Sequence, residues 1–147
     1  MKGKEYMNIL IIDGQGGGLG RQLVEQIKKN YPELEITAVG TNSFATSAML
    51  KAGADHAVTG ENPVIVGARH ADIIIGPIGI VIADALFGEV TPAMAVAVGQ
   101  SRAKRILVPV NHCDNMVVGV SDLTMGNLTA GVIEQIEKII DQKQHSL

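Results

Sequence analysis

Apolar runs and helix-spaced apolar positions alternate along this chain. Met7 to Asp13 reads Met-Asn-Ile-Leu-Ile-Ile-Asp, apolar on both faces, which predicts a strand covered on both sides. After a glycine cluster, Leu19, Leu23, Val24 and Ile27 recur at helical spacing to about Asn30. Lys28 and Lys29 suit the negative C-terminal end of that helix, and Pro32 marks its exit. A second strand is predicted near Glu35 to Val39, then a helix from about Ser43 to Ala52 closed by Gly53, then a short strand near His56 to Val58. Asn62-Pro63 reads as an N-cap followed by proline at the first helical position. Asp72 to Ile75 is the next strand, and Gly76-Pro77-Ile78-Gly79 turns into a helix expected to reach about Phe87. Thr91-Pro92 caps a helix through about Ser101, Lys104 to Val110 reads as a strand, and Met116 to Val120 is a candidate for one more. Leu128, Val132, Ile133, Ile136, Ile139 and Ile140 share one face of a last helix.

Strands alternating with helices predict a parallel sheet wrapped on both faces. The expected architecture is α/β: a Rossmann-like, doubly wound parallel sheet of five or six strands in a three-layer αβα arrangement, with residues 1–147 as one nucleotide-binding domain. Composition sharpens this. Hydrophobic residues make up 46% and charged residues 18%, the reverse of a disordered chain. With two Phe, two Tyr and no Trp, the core must be built from Ile, Val, Leu, Ala and Met. The formal charge of −3, with neither half strongly basic, excludes a general nucleic-acid surface. The uncharged apolar stretch from Ile73 to Ala83 is shorter than the roughly 20 residues that span a bilayer. The charged start, Met1 to Glu5, does not fit a secretory leader, and the single Cys113 cannot close an internal disulfide. A cytoplasmic protein without a membrane partner is expected.

The main chemical signal is Asp13-Gly14-Gln15-Gly16-Gly17-Gly18-Leu19-Gly20-Arg21, between the first strand and the first helix. Glycines let backbone N–H groups approach a phosphate closely, and a helix N-terminus adds unpaired donors and a positive dipole end. Asp13 through Gly20 are therefore candidate cofactor-binding residues. A glycine turn that only packs helix on strand is the competing interpretation. Gly14, Gly18 and Gly20 give G-x-x-x-G-x-G, which resembles the phosphate loop of short-chain dehydrogenases and implies NAD or NADP as a cofactor. That similarity covers about the first thirty residues. The Tyr-x-x-x-Lys pair of those enzymes is missing, since neither Tyr6 nor Tyr31 has Lys four positions on. At the end of the second strand, where NAD sites carry an acid, stand Gly40-Thr41-Asn42-Ser43. Thr41 and Asn42 are candidates for ribose contacts or for a helix cap, and no arginine favours NADP.

Ligands of open parallel sheets sit outside the C-terminal strand ends. Gly76, Pro77 and Gly79 are placed there, with backbone amides able to face a ligand, and Asn111 is a further candidate contact. Asn111-His112-Cys113-Asp114 is the best place for reaction chemistry: His112 as base, Cys113 as nucleophile or metal ligand, Asp114 orienting the histidine. Adjacent residues on an extended segment point in alternate directions, and His56, His70 and His145 are not spaced to join them. No metal is expected. A plain loop with an unreactive cysteine is the simpler reading, and no catalytic residue is assigned.

Taken together, Asp13 to Gly18, Gly40-Thr41-Asn42, Ala45 to Ala54 and Gly76 to Gly79 resemble an uncharacterised domain-of-unknown-function family of short Rossmann-like proteins found mostly in anaerobic Firmicutes. The resemblance spans most of the chain and implies the fold without an activity. Ala71 to Pro77, Thr91 to Val98 and Ser101 to Asn111 are similar to a stretch of the gluconeogenesis-factor and phospholactate-transferase superfamily. That similarity implies a nucleoside diphosphate ligand as a competitor to NAD or NADP. The uncharged helix between Glu89 and Arg102 predicts a homo-oligomer using Ile80 to Val98, with a central core helix as the alternative. Three functions follow: a nucleotide-binding or regulatory module; a small NAD(P)-dependent oxidoreductase or nucleotide-linked transferase that completes its site across an oligomer; or a structural protein that has lost the ligand.

Overall fold

The computed structural model describes residues 7–110, 114–120 and 124–145. Its strands are β1 (Asn8–Asp13), β2 (Glu35–Gly40), β3 (His56–Thr59), β4 (Ile73–Pro77) and β5 (Lys104–Val108). All pairings are parallel, in the order β3-β2-β1-β4-β5. The helices are α1 (Gly18–Asn30), α2 (Ser43–Lys51), α3 (Glu61–His70), α4 (Pro92–Gln100) and α5 (Met125–His145). This is the Rossmann-like three-layer architecture that the alternation of apolar runs and helical periods predicts. None of the described helices is long and apolar enough to cross a membrane.

The pleat of β1 explains the two layers. Ile9 and Ile11 face a cluster with Leu23 and Ile27 of α1, Met49 of α2 and Ile136 of α5. Leu10 and Ile12 face the other way, toward Val64 of α3 and Met94 and Val98 of α4. Successive side chains on a strand alternate faces, so an unbroken Ile-Leu-Ile-Ile run fills both cores. The order reverses beside β1: β2 lies on one side and β4 on the other. In such sheets, that reversal opens a crevice at the C-terminal strand ends. The β1–β2 register pairs Asp13 with Gly40, and Thr41 N–H donates to Asp13 O at 3.0 Å. The glycine cluster and Thr41-Asn42 are thus side by side.

Several elements differ from expectation. α3 starts at Glu61, with Gly60 at its N-cap position, so Pro63 occupies the first turn and Asn62 is not the cap. Proline is tolerated anywhere in that turn because its missing N–H has no intrahelical partner. β5 ends at Val108, and Met116 to Val120 form no strand, with a turn at Val118-Gly119. The helix expected through Phe87 is a 3₁₀ turn, Ile78–Val81, followed by irregular backbone. Asp84, Leu86 and Phe87 all have positive φ (66°, 58° and 55°). For L-residues this conformation costs about 1–2 kcal/mol each. The segment is held by Asp84 N–H to Val90 O at 2.7 Å, Val90 N–H to Ala85 O at 3.1 Å and Gly88 N–H to Asp84 O at 3.0 Å. Burial of Leu86 and Val90 in the α3–α4 core offsets the cost.

α4 is a core helix on one side only. Met94, Ala95 and Val98 are buried, while Val96 is 53% exposed. Thr91 caps it, its Oγ1 accepting from Met94 N–H at 3.2 Å and donating to Glu61 Oε1 at 2.6 Å. One hydroxyl therefore ties the start of α4 to the start of α3.

Candidate functional site

The loop between β1 and α1 is built around Asp13. Its carboxylate is buried, with Oδ1 accepting from Gly14 N–H at 2.8 Å and Oδ2 from Gly20 N–H at 2.7 Å. It thereby satisfies one of the unpaired donors in the first turn of α1. Burial pushes the Asp13 carboxyl above its ordinary value; the Gly20 and Gly14 bonds oppose this and the Glu89 charge adds to it. Asp13 is a structural anchor of the loop, and both its oxygens are committed.

The glycines divide into two groups. A Cβ on Gly14 would lie 2.5 Å from Thr41 Oγ1, and one on Gly20 would lie 2.5 Å from Met49 Sδ. Gly17 has φ +74°, and a Cβ there would lie 2.7 Å from the Ala45 Cα. These three are required by packing or backbone conformation. Gly16 and Gly18 are different: φ is not positive at either, and among the described residues a Cβ at either would meet nothing within 4 Å. Both are exposed.

The backbone donors divide in the same way. Gly14, Gly17 and Gly20 N–H groups are bonded within the loop, Gly17 to Gly14 O at 2.9 Å. Gln15 N–H donates to Glu89 Oε1 at 3.0 Å. Among the described residues, the N–H groups of Gly16, Gly18 and Leu19 have no partner outside the helix. Gly99 and Gly131 also leave open space around a Cβ, but they lie inside α4 and α5. At Gly16 and Gly18 an unneeded glycine coincides with an unpaired donor.

Glu89 is the site residue the sequence reading missed. Its Oε1 accepts from Thr41 Oγ1 at 2.6 Å, Asn42 Nδ2 at 2.6 Å and Gln15 N–H. Burial alone would raise its carboxyl; the bonds from Thr41, Gln15 and Asn42 outweigh that and hold it below the ordinary glutamate value. Every bond ends on Oε1, and among the described residues Oε2 accepts none. An acid is therefore present beside the end of β2, although it comes from the segment preceding α4. The available signal was its isolation: Glu89 is the sole acidic residue between Asp84 and Asp114.

Of the two residues considered as a helix cap, Asn42 takes that role, and the Thr41 hydroxyl is spent on Glu89 instead. Asn42 caps α2, its Oδ1 accepting from Ala45 N–H at 3.0 Å, while its Nδ2 also donates to Gln15 O at 2.9 Å. Gly76, Pro77 and Gly79 are buried. A Cβ on Gly76 would collide with Ile12 O, and one on Gly79 would lie 3.2 Å from Ala85 Cβ, so packing accounts for both glycines. Asn111, His112 and Cys113 lie outside the described residues, and Asp114 is exposed in a turn. Among the described residues, no group of three His, Cys, Asp or Glu side chains could hold a metal ion. A separate cavity of about 410 Å³, lined by Arg69, Arg102, Ile65 and Ala97, lies at the opposite edge of the sheet, where α3 and α4 end.

A family model described as a domain of unknown function (DUF3842) matches residues 8–141, from β1 through most of α5. No curated protein and no solved structure matches the chain.

Proposed function

The chain belongs to the DUF3842 family, and from the geometry of its loop we propose that it is a nucleotide- or dinucleotide-binding module whose phosphate oxygens rest on the N–H groups of Gly16, Gly18 and Leu19. The observation that carries this is the coincidence at Gly16 and Gly18. Among the described residues, neither packing nor backbone conformation calls for glycine there, and neither N–H group has a protein partner. Phosphate at a helix N-terminus gains from the unpaired donors and from the dipole without a cationic side chain. A protein that had lost its ligand would fill this space with side chains, and none of the described residues comes within 4 Å of a Cβ at either position.

NAD, NADP and nucleoside diphosphates all present suitable oxygens. Glu89 narrows the choice. A carboxylate beside the loop repels a bare polyanion, so it favours ligands that carry hydroxyl donors next to the phosphate. The proposal includes self-association through Ile80 to Val98, with the exposed Val96 on α4 as its anchor.

Native mass spectrometry of freshly purified protein tests the reading through the mass of a co-purified ligand. Gly18→Val supplies the second arm. The protein should fold as before and lose affinity for that ligand by about tenfold or more, or 1.4 kcal/mol. Unchanged affinity removes the loop from the site. Light scattering at micromolar concentration tests self-association, and a clean monomer removes that part of the proposal.

A further inference from the structure

The chain has two phenylalanines, and neither is in the core. Phe44 is 80% exposed and Phe87 is 97% exposed. In a protein without Trp, these are the rings a core would be expected to use first. Both belong to segments that meet at the site. Phe44 is the second residue of α2, two positions after Asn42, and Phe87 stands two positions before Glu89. The 2.6 Å bond between Asn42 Nδ2 and Glu89 Oε1 clasps the two segments together.

The exposure of Phe87 is built into the backbone. Leu86 is 2% exposed and packs in the α3–α4 core, while its neighbour points to solvent. The backbone there is left-handed at Leu86 and Phe87, followed by Gly88 at φ 85°. Swapping the two side chains would bury the larger ring and relieve the exposure, yet the chain keeps Leu inside and Phe outside.

We infer that Phe44 and Phe87 flank a planar nucleobase, so that the ligand is a nucleoside phosphate rather than an inorganic or simple sugar phosphate. This rests on the reading of Gly16, Gly18 and Leu19 as the phosphate cradle. Phosphate on those amides places the adjoining sugar beside Glu89, whose Oε2 is available to accept from its hydroxyls. The base then lies beyond Glu89, within reach of the two segments that Asn42 and Glu89 clasp together and that carry the exposed rings. Stacking on aromatic faces tolerates any base, so the two rings select for a base without specifying which one.

Calorimetric titration with ADP, UDP and ribose 5-phosphate tests this, using wild type, Phe44→Ala, Phe87→Ala and Phe87→Tyr. The nucleotides should bind at least tenfold more tightly than ribose 5-phosphate. Each alanine variant should weaken nucleotide binding between about fivefold and a hundredfold, the span of one lost base-stacking contact, and leave ribose 5-phosphate unchanged. Phe87→Tyr should restore nucleotide affinity. Equal affinities for all three probes, insensitive to both alanine variants, overturn the inference while leaving the phosphate cradle standing. No binding of any probe overturns both. If Phe87→Ala converts a dimer to a monomer in light scattering and leaves nucleotide affinity unchanged, the ring belongs to a second copy of the chain and the inference fails.

Discussion

Glu89 and Asn42 are 47 positions apart in the chain, yet Asn42 Nδ2 donates to Glu89 Oε1 at 2.6 Å directly beside the glycine loop. The same oxygen takes the Gln15 N–H and the Thr41 hydroxyl. One carboxylate therefore joins the end of β1, the end of β2 and the segment before α4.

The pH dependence of stability should report that junction. The Glu89 carboxyl is held below its ordinary value of 4.5 in the folded protein. Its stabilising contribution is complete above pH 4.5 and is lost as the pH falls through the lower folded value. Glu89→Gln should flatten this acid limb, because an amide does not titrate. Denaturant midpoints of both proteins, measured from neutral pH to below 4.5, check it. Parallel curves would show that Glu89 is not held by these bonds.

Asp13→Asn should destabilise the protein by about 1–3 kcal/mol, the cost of leaving a buried donor unsatisfied. The amide offers one acceptor oxygen where Gly14 N–H and Gly20 N–H need two. The raised carboxyl of Asp13 works in the opposite pH sense to Glu89: its ionisation opposes folding as pH rises through the folded value. Urea unfolding near neutral pH gives the size of the loss. A variant as stable as wild type would show that relief of burying the charge offsets the lost bond.

Gly17→Ala and Gly18→Ala should separate although they are neighbours. At Gly17 the new Cβ meets the Ala45 backbone at 2.7 Å with φ at +74°, and a loss above about 2 kcal/mol is expected. At Gly18 it meets nothing, and alanine is the better helix former, so stability should be unchanged or rise by up to about 1 kcal/mol. Thermal unfolding of the two variants side by side decides it. Equal losses would mean that Gly18 is a packing glycine after all.

Thr91→Ala should cost about 1 kcal/mol, as expected for a lost N-cap. Thr91 Oγ1 serves both Met94 N–H and Glu61 Oε1, so Thr91→Ser should recover most of the loss. Chemical denaturation of the pair distinguishes the hydroxyl from the lost methyl group.

The sequence by itself determined the elements whose cause is local. Ile9 to Ile12 had to be a strand covered on both faces, because an unbroken apolar run leaves no side for water. Leu23 and Ile27 fixed the inner face of α1, and Thr91-Pro92 fixed the start of α4, since capping and helical period act within a few residues. The glycine loop was legible as a loop for the same reason. Tertiary packing decided the rest. Where the composition of residues 78–87 suggested a helix, the chain takes a 3₁₀ turn and then left-handed backbone at Asp84, Leu86 and Phe87, held by bonds to Val90 and by burial of Leu86. From that turn Glu89 accepts from Thr41 and Asn42, and Phe87 stands exposed. Which glycines serve the protein's own packing, and which leave N–H groups open, depends on side chains such as Met49 and on the Ala45 backbone. These lie far along the chain, and no local pattern encodes the distance to them.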